Sequence, residues 1–345
     1  MGEENVRLVW IYLEIISILA VALTVYDKRT ARFGGQRVRE KTLLLAAIGG
    51  GAIAMGLTML FIRHKTRKPK FVIGIPLIII LQLLFLVFGL DQSLAVNHFT
   101  VESDKIDDKV KLMLIADLHA CDYGNKQERL LNKICNENPD VVLLCGDIFD
   151  DELSTDNTIE FLQGIAGKYL CYFVFGNHEF WSGKIDELEM IFTTYGVKGL
   201  RGTSDIIGVR GDVISISGID DPDTDKYDTN SPSYADQLRS LDRSIDRDVF
   251  TLLMSHRPER MGDFLPLDFD LVVAGHAHGG QWRIPFFIEN GLLAPNQGFF
   301  PRYTNGEYCW DETVLIVSRG LARESTAVPR LFNRPEIVVI TVQGK

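Results

Sequence analysis

Five of the seven histidines in this chain lie in short polar clusters: Asp117-Leu118-His119, Gly176-Asn177-His178-Glu179, and His256 with Gly275-His276-Ala277-His278. Gly146-Asp147 is a further cluster of the same kind, and each follows an apolar, β-branched run. Strands that each end in a carboxylate, amide or imidazole would converge those groups on one sheet edge, where together they can hold two metal ions. Asp117 and His119 are two apart, so across an extended turn both can face one cation. Gly146 lets the backbone turn sharply and present Asp147 beyond the edge, where a carboxylate can bridge two ions. Asn177 offers a neutral amide oxygen, and His178 beside it suits a catalytic acid. His256, His276 and His278 add imidazoles. Mixed imidazole and carboxylate donors suit Mn, Fe or Zn better than Mg or Ca, so two divalent ions of that kind are expected as cofactors. Taken alone, each histidine reads as an ordinary satisfied polar group. Their recurrence at the end of strand after strand is what argues for a site.

Two cations about 3.5 to 4 Å apart would acidify a bridging water and polarise a substrate's oxygens, so that hydroxide could attack without a covalent intermediate.

The elements that must position these groups alternate. Strands are expected at 110–116, 141–145, 169–175, 213–217, 250–254 and 271–274, with a closing pair at 312–317 and 337–342. Apolar residues at helical spacing mark 126–137 and 184–195, and 220–232, rich in Asp, Thr, Ser and Pro, reads as a surface loop. The class is therefore α/β. No internal repeat is evident.

With 345 residues and a 46% hydrophobic fraction, the chain can build about two domains. The net charge of −10 is uneven: residues 1–70 hold 12 basic against 5 acidic residues, leaving 24 against 41 for the rest. That acidic part has no basic clusters, which excludes a nucleic-acid surface. Five cysteines without metal-finger spacing read as buried free thiols.

Residues 8–26, with Glu14 as their only charge, and the uncharged 72–90 read as membrane spans, and the first does not have the design of a cleaved signal peptide. Between them 42–62 is apolar but broken by Gly49-Gly50-Gly51, with basic clusters at 28–41 and 63–70 on either side. A straight helix would put one basic loop on the wrong side, whereas a re-entrant hairpin bent at the glycines keeps both in the cytoplasm. Both forms are open. The hairpin makes the protein a multi-pass cell-membrane protein with an extracytoplasmic C-terminal domain. The expected division is a membrane domain at 1–92, a polar linker at 93–108 and a soluble domain at 109–345.

Residues 26–71, through Tyr26-Asp27-Lys28, Arg37-Val38-Arg39-Glu40 and His64-Lys65-Thr66-Arg67-Lys68, resemble a small uncharacterised family of bacterial membrane proteins, which implies membrane location but no activity. His64 reads as an interfacial basic residue. The ordered clusters over 109–345 resemble the calcineurin-like metallophosphoesterases, with a four-layer α/β/β/α sandwich. That resemblance implies that Asp117, His119, Asp147 and His278 hold one metal, that Asp147, Asn177, His256 and His276 hold the other, and that His178 assists the leaving group. The position after His178, often Asp in the family, is Glu179 here, whose longer side chain could still reach the imidazole. Asp150 matches a common acidic position and suits a supporting or capping role. The tail, with Gly275 to Gln281, Ser318-Arg319-Gly320 and Asn333-Arg334-Pro335-Glu336, resembles the membrane-associated bacterial branch, linked to phosphate ester or pyrophosphate hydrolysis. Arg302, Arg319 and Arg323 read as surface ion-pairing residues that could steer a phosphate. The expected partners are a phosphorylated small-molecule, nucleotide-linked or lipid-linked substrate and the lipid bilayer. Two other classes are a catalytically silent metal-binding sensor or scaffold and a transporter-like membrane unit with an attached hydrolase. Missing ligands would mark the first, and the second would need more spans.

Overall fold

The computed structural model describes residues 3–323 and 329–345, which divide between Asp91 and Gln92 into two compact units.

The first unit contains three helical stretches long and apolar enough to cross a membrane, Trp10–Phe33, Glu40–Phe61 and Pro69–Gly89. The first belongs to α1 (Glu3–Phe33). The second is not straight: α2 (Glu40–Ala46) gives way to a wide turn at Ala47–Gly51, where Gly50 adopts φ 117°, before α3 (Ala52–Phe61). A straight helix over that stretch would be about 30 Å long. Yet Asp27 of α1 accepts the Val38 N–H at 3.1 Å and lies 2.7 Å from His64 and 2.9 Å from Lys65, while Glu40 pairs with Lys68 at 2.7 Å. Both ends of the stretch therefore meet at one level of α1, and its glycines lie nearer the start of α1, where the Tyr12 hydroxyl donates to Gly49 O at 2.7 Å. The chain doubles back at the glycines. A Cβ at Gly51 would stand 2.6 Å from that of Ala20, so only glycine permits this approach. Gln82, on α4 (Gly74–Leu84), donates to Ala47 O and Ile48 O at the bend. His64, expected at an interface, is instead buried against Asp27.

In the second unit two six-stranded sheets face each other. The first has the order β1 (Ala95–Glu102), β14 (Glu336–Gln343), β2 (Val110–Ile115), β3 (Val141–Cys145), β4 (Leu170–Val174), β5 (Val197–Gly199). The second runs β12 (Gly306–Trp310), β13 (Thr313–Val317), β9 (Leu271–Ala274), β8 (Phe250–Met254), β7 (Asp212–Gly218), β6 (Thr203–Val209). Strand periodicity sorts the side chains between layers. Leu112, Leu114, Leu252, Met254, Leu271 and Val273 fill the space between the sheets. Met113 and Ile115 turn outward against Leu130 and Ile134 of α5 (Glu128–Glu137), Phe161 and Leu162 of α6 (Asp156–Ile165) and Leu188 and Phe192 of α8 (Ile185–Thr194), which follows the short α7 (Asn177–Trp181). Leu253 and Val272 pack on Leu241 of α9 (Tyr234–Ser244). The result is an α/β/β/α sandwich. Strands β2, β3 and β4 are parallel, as are β7, β8, β9 and β13, so their C-terminal ends gather at one end of the domain.

Three expectations need correction. Residues 95–102 are not a linker: they form β1, which pairs in parallel with β14 from Ala95↔Glu336 to Glu102↔Gln343. Asn97, His98 and Thr100 gave this stretch a polar look because it is an edge strand. The 220–232 loop is anchored inside, with Asp220 and Asp221 buried against Arg201 and Arg257. Of the five cysteines, all free thiols, Cys135 and Cys309 are exposed.

Candidate metal centre

Every residue singled out from the sequence follows the C-terminal end of a parallel strand: Asp117 and His119 after β2, Asp147 after β3, Asn177 and His178 after β4, His256 after β8, His276 and His278 after β9. Five of these positions, Asp117, His119, Asp147, His276 and His278, have φ between 47° and 65°, the left-handed region that costs a residue with a Cβ about 1–2 kcal/mol. Neighbouring glycines make room. A Cβ on Gly320 would overlap the Asp117 carboxylate, and one on Gly146 would overlap the His256 ring.

The structure brings the candidate ligands together as two groups. Donor atoms of Asp117, His119 and His278 lie within 4.8 Å of one another, and so do those of Asp147, His256 and His276. Asp147 joins the groups, its Oδ2 3.0 Å from His256 Nε2 and 3.6 Å from His119 Nε2. His276 Nδ1 faces His256 Nε2 at 3.1 Å, an approach of two imidazole nitrogens that suits a shared cation. Asn177 is buried beside Asp147, whose Oδ1 accepts the next residue's N–H, from His178, at 2.9 Å. Four buried atoms of this set, His119 Nε2, Asp147 Oδ2, Asn177 Oδ1 and His278 Nδ1, have no hydrogen-bond partner. Buried polar atoms are rarely left so, and here they share one small volume. The donor set is nitrogen and oxygen, so the residues fit a pair of borderline divalent ions.

The electrostatics agree with this reading. Burial pushes the Asp117 carboxyl up from its ordinary range. Burial also opposes charge on Asp147, but His256 and His119 outweigh it and hold that carboxyl well down. The same balance works on His256: burial disfavours its proton, yet Asp147 and Asp117 push the imidazole up to about 10. Burial and the charge of His256 drive His276 down to about 3. Carboxylates and imidazoles thus trade charge in a dry pocket, where a cation would satisfy them together.

The far nitrogens of three imidazoles are fixed by hydrogen bonds, as ligand histidines require. His119 Nδ1 meets Asp150 Oδ2 at 2.9 Å, His256 Nδ1 meets Cys145 O at 2.9 Å, and His276 Nε2 meets Asn296 Oδ1 at 2.8 Å. Asp150 also caps Glu152 and Leu153 through Oδ1. His178 is only partly buried and stands edge-on to His119 with ring centres 4.4 Å apart. Its Nδ1 is 2.5 Å from Asp151 Oδ1, and one of its ring nitrogens lies within 4.8 Å of donor atoms of both His119 and Asp147. Glu179 does not reach the imidazole. Its carboxylate accepts the N–H groups of Gly176, Asp147, Ile148 and Phe149 at 2.7–2.9 Å, and burial with the nearby Asp147 charge pushes it up to about 7.

Sequence reasoning missed Asp151, Asn296, Asp221 and the true partners of Glu179. Only the last had a local signal, the Gly-x-x-Glu spacing at a helix start, where Glu179 accepts the Gly176 N–H. Arg319 pairs with Glu336 and Arg323 lies over Tyr123, whereas Arg302 makes no ion pair among the described residues.

Residues 110–280 match the family described as calcineurin-like phosphoesterase, and residues 17–71 match DUF1294, a family of unknown function. An uncharacterized metallophosphoesterase, Cj0846 of Campylobacter jejuni, is 27% identical over 254 residues, covering 72% of this chain and 63% of that protein. A bovine transmembrane protein with metallophosphoesterase domain is 27% identical over 251 residues, covering 68% and 53%. The chain therefore spans less than two thirds of either relative. Among solved structures, the phosphopantetheinyl hydrolase PptH of Mycobacterium tuberculosis superimposes with a TM-score of 0.42 at 14% identity, covering 66% of this chain and 96% of that one.

Proposed function

The chain belongs to the calcineurin-like metallophosphoesterases and carries an N-terminal DUF1294 segment, and from that premise we propose that it is a membrane-anchored phosphohydrolase that uses two divalent ions, Mn, Fe or Zn, to cut phosphate ester or pyrophosphate bonds. Asp117, His119, Asp147 and His278 would hold one ion, and Asp147, Asn177, His256 and His276 the other. When bound, the pair supplies Lewis-acid polarisation of the phosphoryl oxygens and acidifies water for in-line attack. The chain's own residues do the rest. Asp150, Cys145 O and Asn296 keep three imidazoles aimed inward. His178, anchored through Nδ1 by Asp151, offers Nε2–H to the departing oxygen. The observation that carries this reading is that buried His119 Nε2, Asn177 Oδ1 and His278 Nδ1 lack hydrogen-bond partners while the buried Asp147 carboxylate stands between His256 and His119. Metal analysis of the purified protein, with assays on phosphomonoesters, phosphodiesters and pyrophosphates beside the His178→Ala variant, tests it. Two metals per chain and His178-dependent hydrolysis are expected, and a metal-loaded but inert protein would overturn it in favour of a sensor.

The anchor suits a lipid-linked phosphate, and the doubled-back segment bears on the side of the membrane. With Asp27 and Glu40 gathering residues from both basic clusters, the two clusters share one face, which the positive-inside rule assigns to the cytoplasm. The helix at Pro69–Gly89 then leads outward, making the catalytic domain extracytoplasmic. Alkaline phosphatase fused after Lys345 should be active in cells and green fluorescent protein at the same point dark. The reverse pattern would sink this orientation.

A further inference from the structure

After His278 the chain stays at the metal-bearing end of the second sheet, where Asn296 meets His276, until it enters β12, whose first residue, Gly306, pairs with Val317. The intervening residues 281–305 hold little regular structure beyond the two-residue strands β10 (Leu293–Ala294) and β11 (Gly298–Phe299). They turn their aromatic groups outward: Phe286 is 91% exposed, Phe287 85%, Phe299 72% and Phe300 71%, with Trp282 and Leu293 also open. An apolar cluster of this size on a water-soluble face marks an interaction surface.

Three observations name what covers it. The first is connectivity. Residues 90–94 alone separate the apolar helix ending at Gly89 from β1, a reach of about 17 Å. The chain enters this domain at its metal-bearing end: Ala95 N–H donates to Pro335 O, Arg334 reaches Ser93 O, and the neighbouring Glu336 N–H donates to Gly320 O beside Asp117. Entry point, aromatic loop and ligands therefore share one end. The second is charge. In a domain with a large acidic excess, residues 281–305 carry Arg283 and Arg302 against Glu289 alone. The third is a cavity of about 370 Å³ under the loop, lined by Arg283, Arg319, Glu289, Phe286 and Asn290 among others. Among the described residues the Arg283 guanidinium has no ion-pair partner, and burial and the charge of Arg319 both disfavour its proton. Glu336 already answers Arg319, so Arg283 is the guanidinium left to take an anion, and aromatic rings beside arginine are the composition of a membrane interface.

We propose that residues 282–303 seat the catalytic domain on the bilayer: the four phenylalanines enter the interfacial layer, Arg283 takes a lipid phosphate, and the metal-bearing end meets phosphorylated lipid headgroups as its substrate class. Only the substrate class rests on the hydrolase reading.

Docking is tested without activity. The full-length protein, with Cys135 and Cys309 replaced by serine, receives one cysteine at Phe286 or, as a control, at Glu312 in the exposed turn at the far end of β12. Each is labelled with bimane and reconstituted in phosphatidylcholine–phosphatidylglycerol vesicles with or without 5-doxyl lipid. At least twofold quenching at 286 and none at 312 is expected, and equal emission at both positions would overturn the proposal. In the 286-labelled protein Arg283→Gln should weaken quenching only when phosphatidylglycerol is present, and equal weakening in pure phosphatidylcholine would remove the phosphate contact. For substrate class, wild-type protein should show a lower KM for a phosphate monoester lipid in the same vesicles than for a soluble aryl phosphate, and F286S/F287S should erase that preference. A preference that survives overturns the headgroup assignment, while absence of hydrolysis with every ester refutes the hydrolase reading and leaves docking decided by the quenching.

Discussion

The imidazole of His178 is held by Asp151, 2.5 Å from Nδ1, and not by its chain neighbour Glu179, whose carboxylate faces the opposite way into four backbone N–H groups. Two acidic residues thus divide a task that the sequence suggested for one: Asp151 holds the His178 ring, and Glu179 builds the turn carrying Asp147.

If Asp151 works through His178, their effects overlap. His178→Ala should lower turnover by about 100-fold or more, Asp151→Ala by about 10-fold, and the double variant should be no worse than His178→Ala. Additive losses in steady-state kinetics would show that Asp151 acts elsewhere.

Asp147→Asn removes charge from the carboxylate shared by both ligand groups. Metal affinity should drop by at least about 100-fold, since even supporting residues around a ligand are worth about 10–100-fold. Inductively coupled plasma mass spectrometry should find fewer than two metals per chain in this variant and two in His178→Ala.

Chelation should unfold the catalytic domain more readily, because Asp117 and Asp147 would stay buried without their counter-charge. A metal present at about 100 times its Kd contributes about 2.7 kcal/mol. Thermal denaturation should show a lower Tm after EDTA, restored by Mn. An unchanged Tm would mean that no metal was bound.

Glu179→Gln keeps the shape but turns an amide NH2 toward backbone donors. One or more of the N–H groups of Gly176, Asp147, Ile148 and Phe149 would lose its acceptor, at a cost of about 1–3 kcal/mol. Denaturant titration measures it, with the turn at Asp147 opening first in hydrogen exchange.

Tyr172 on β4 donates its buried hydroxyl to Asp205 on β6 at 2.7 Å, joining one sheet to the other. Burial raises the Asp205 carboxyl, but Lys198 and the Tyr172 hydroxyl outweigh it and hold it below its ordinary range. A depressed carboxyl stabilises the fold above its unfolded value, near 4, and that contribution disappears as pH falls through the folded value. Asp205→Ala should therefore lower Tm by a few degrees at pH 7, and the gap from wild type should close at acidic pH. A gap independent of pH would remove the charge from the explanation.

What the sequence disclosed and what it hid divide along burial. Strands β3 and β9 are continuous apolar runs and β8 is one broken only by Thr251, all buried on both faces, and their limits are the same in sequence and structure. Edge strands are poorer signals: β1 mixes Asn97 and His98 with Val96 and Phe99, and β6 opens with Thr203-Ser204-Asp205, so neither was recognised. Donors placed at strand ends were legible because glycines and strands frame them. Asp151, Asn296 and Asp221 were not, because each reaches its partner from a loop whose path depends on tertiary contacts.

The position of β14 between β1 and β2 has a temporal consequence. As the ribosome works, β1 emerges early and stays without a neighbour until residues 336–343, more than two hundred positions later, slot in beside it. Until then the first sheet is split, and the newborn segment next to the membrane helices remains an open strand edge. The first sheet of this topology closes only after β14 is made, so β1 waits through synthesis of the whole intervening domain for its partner.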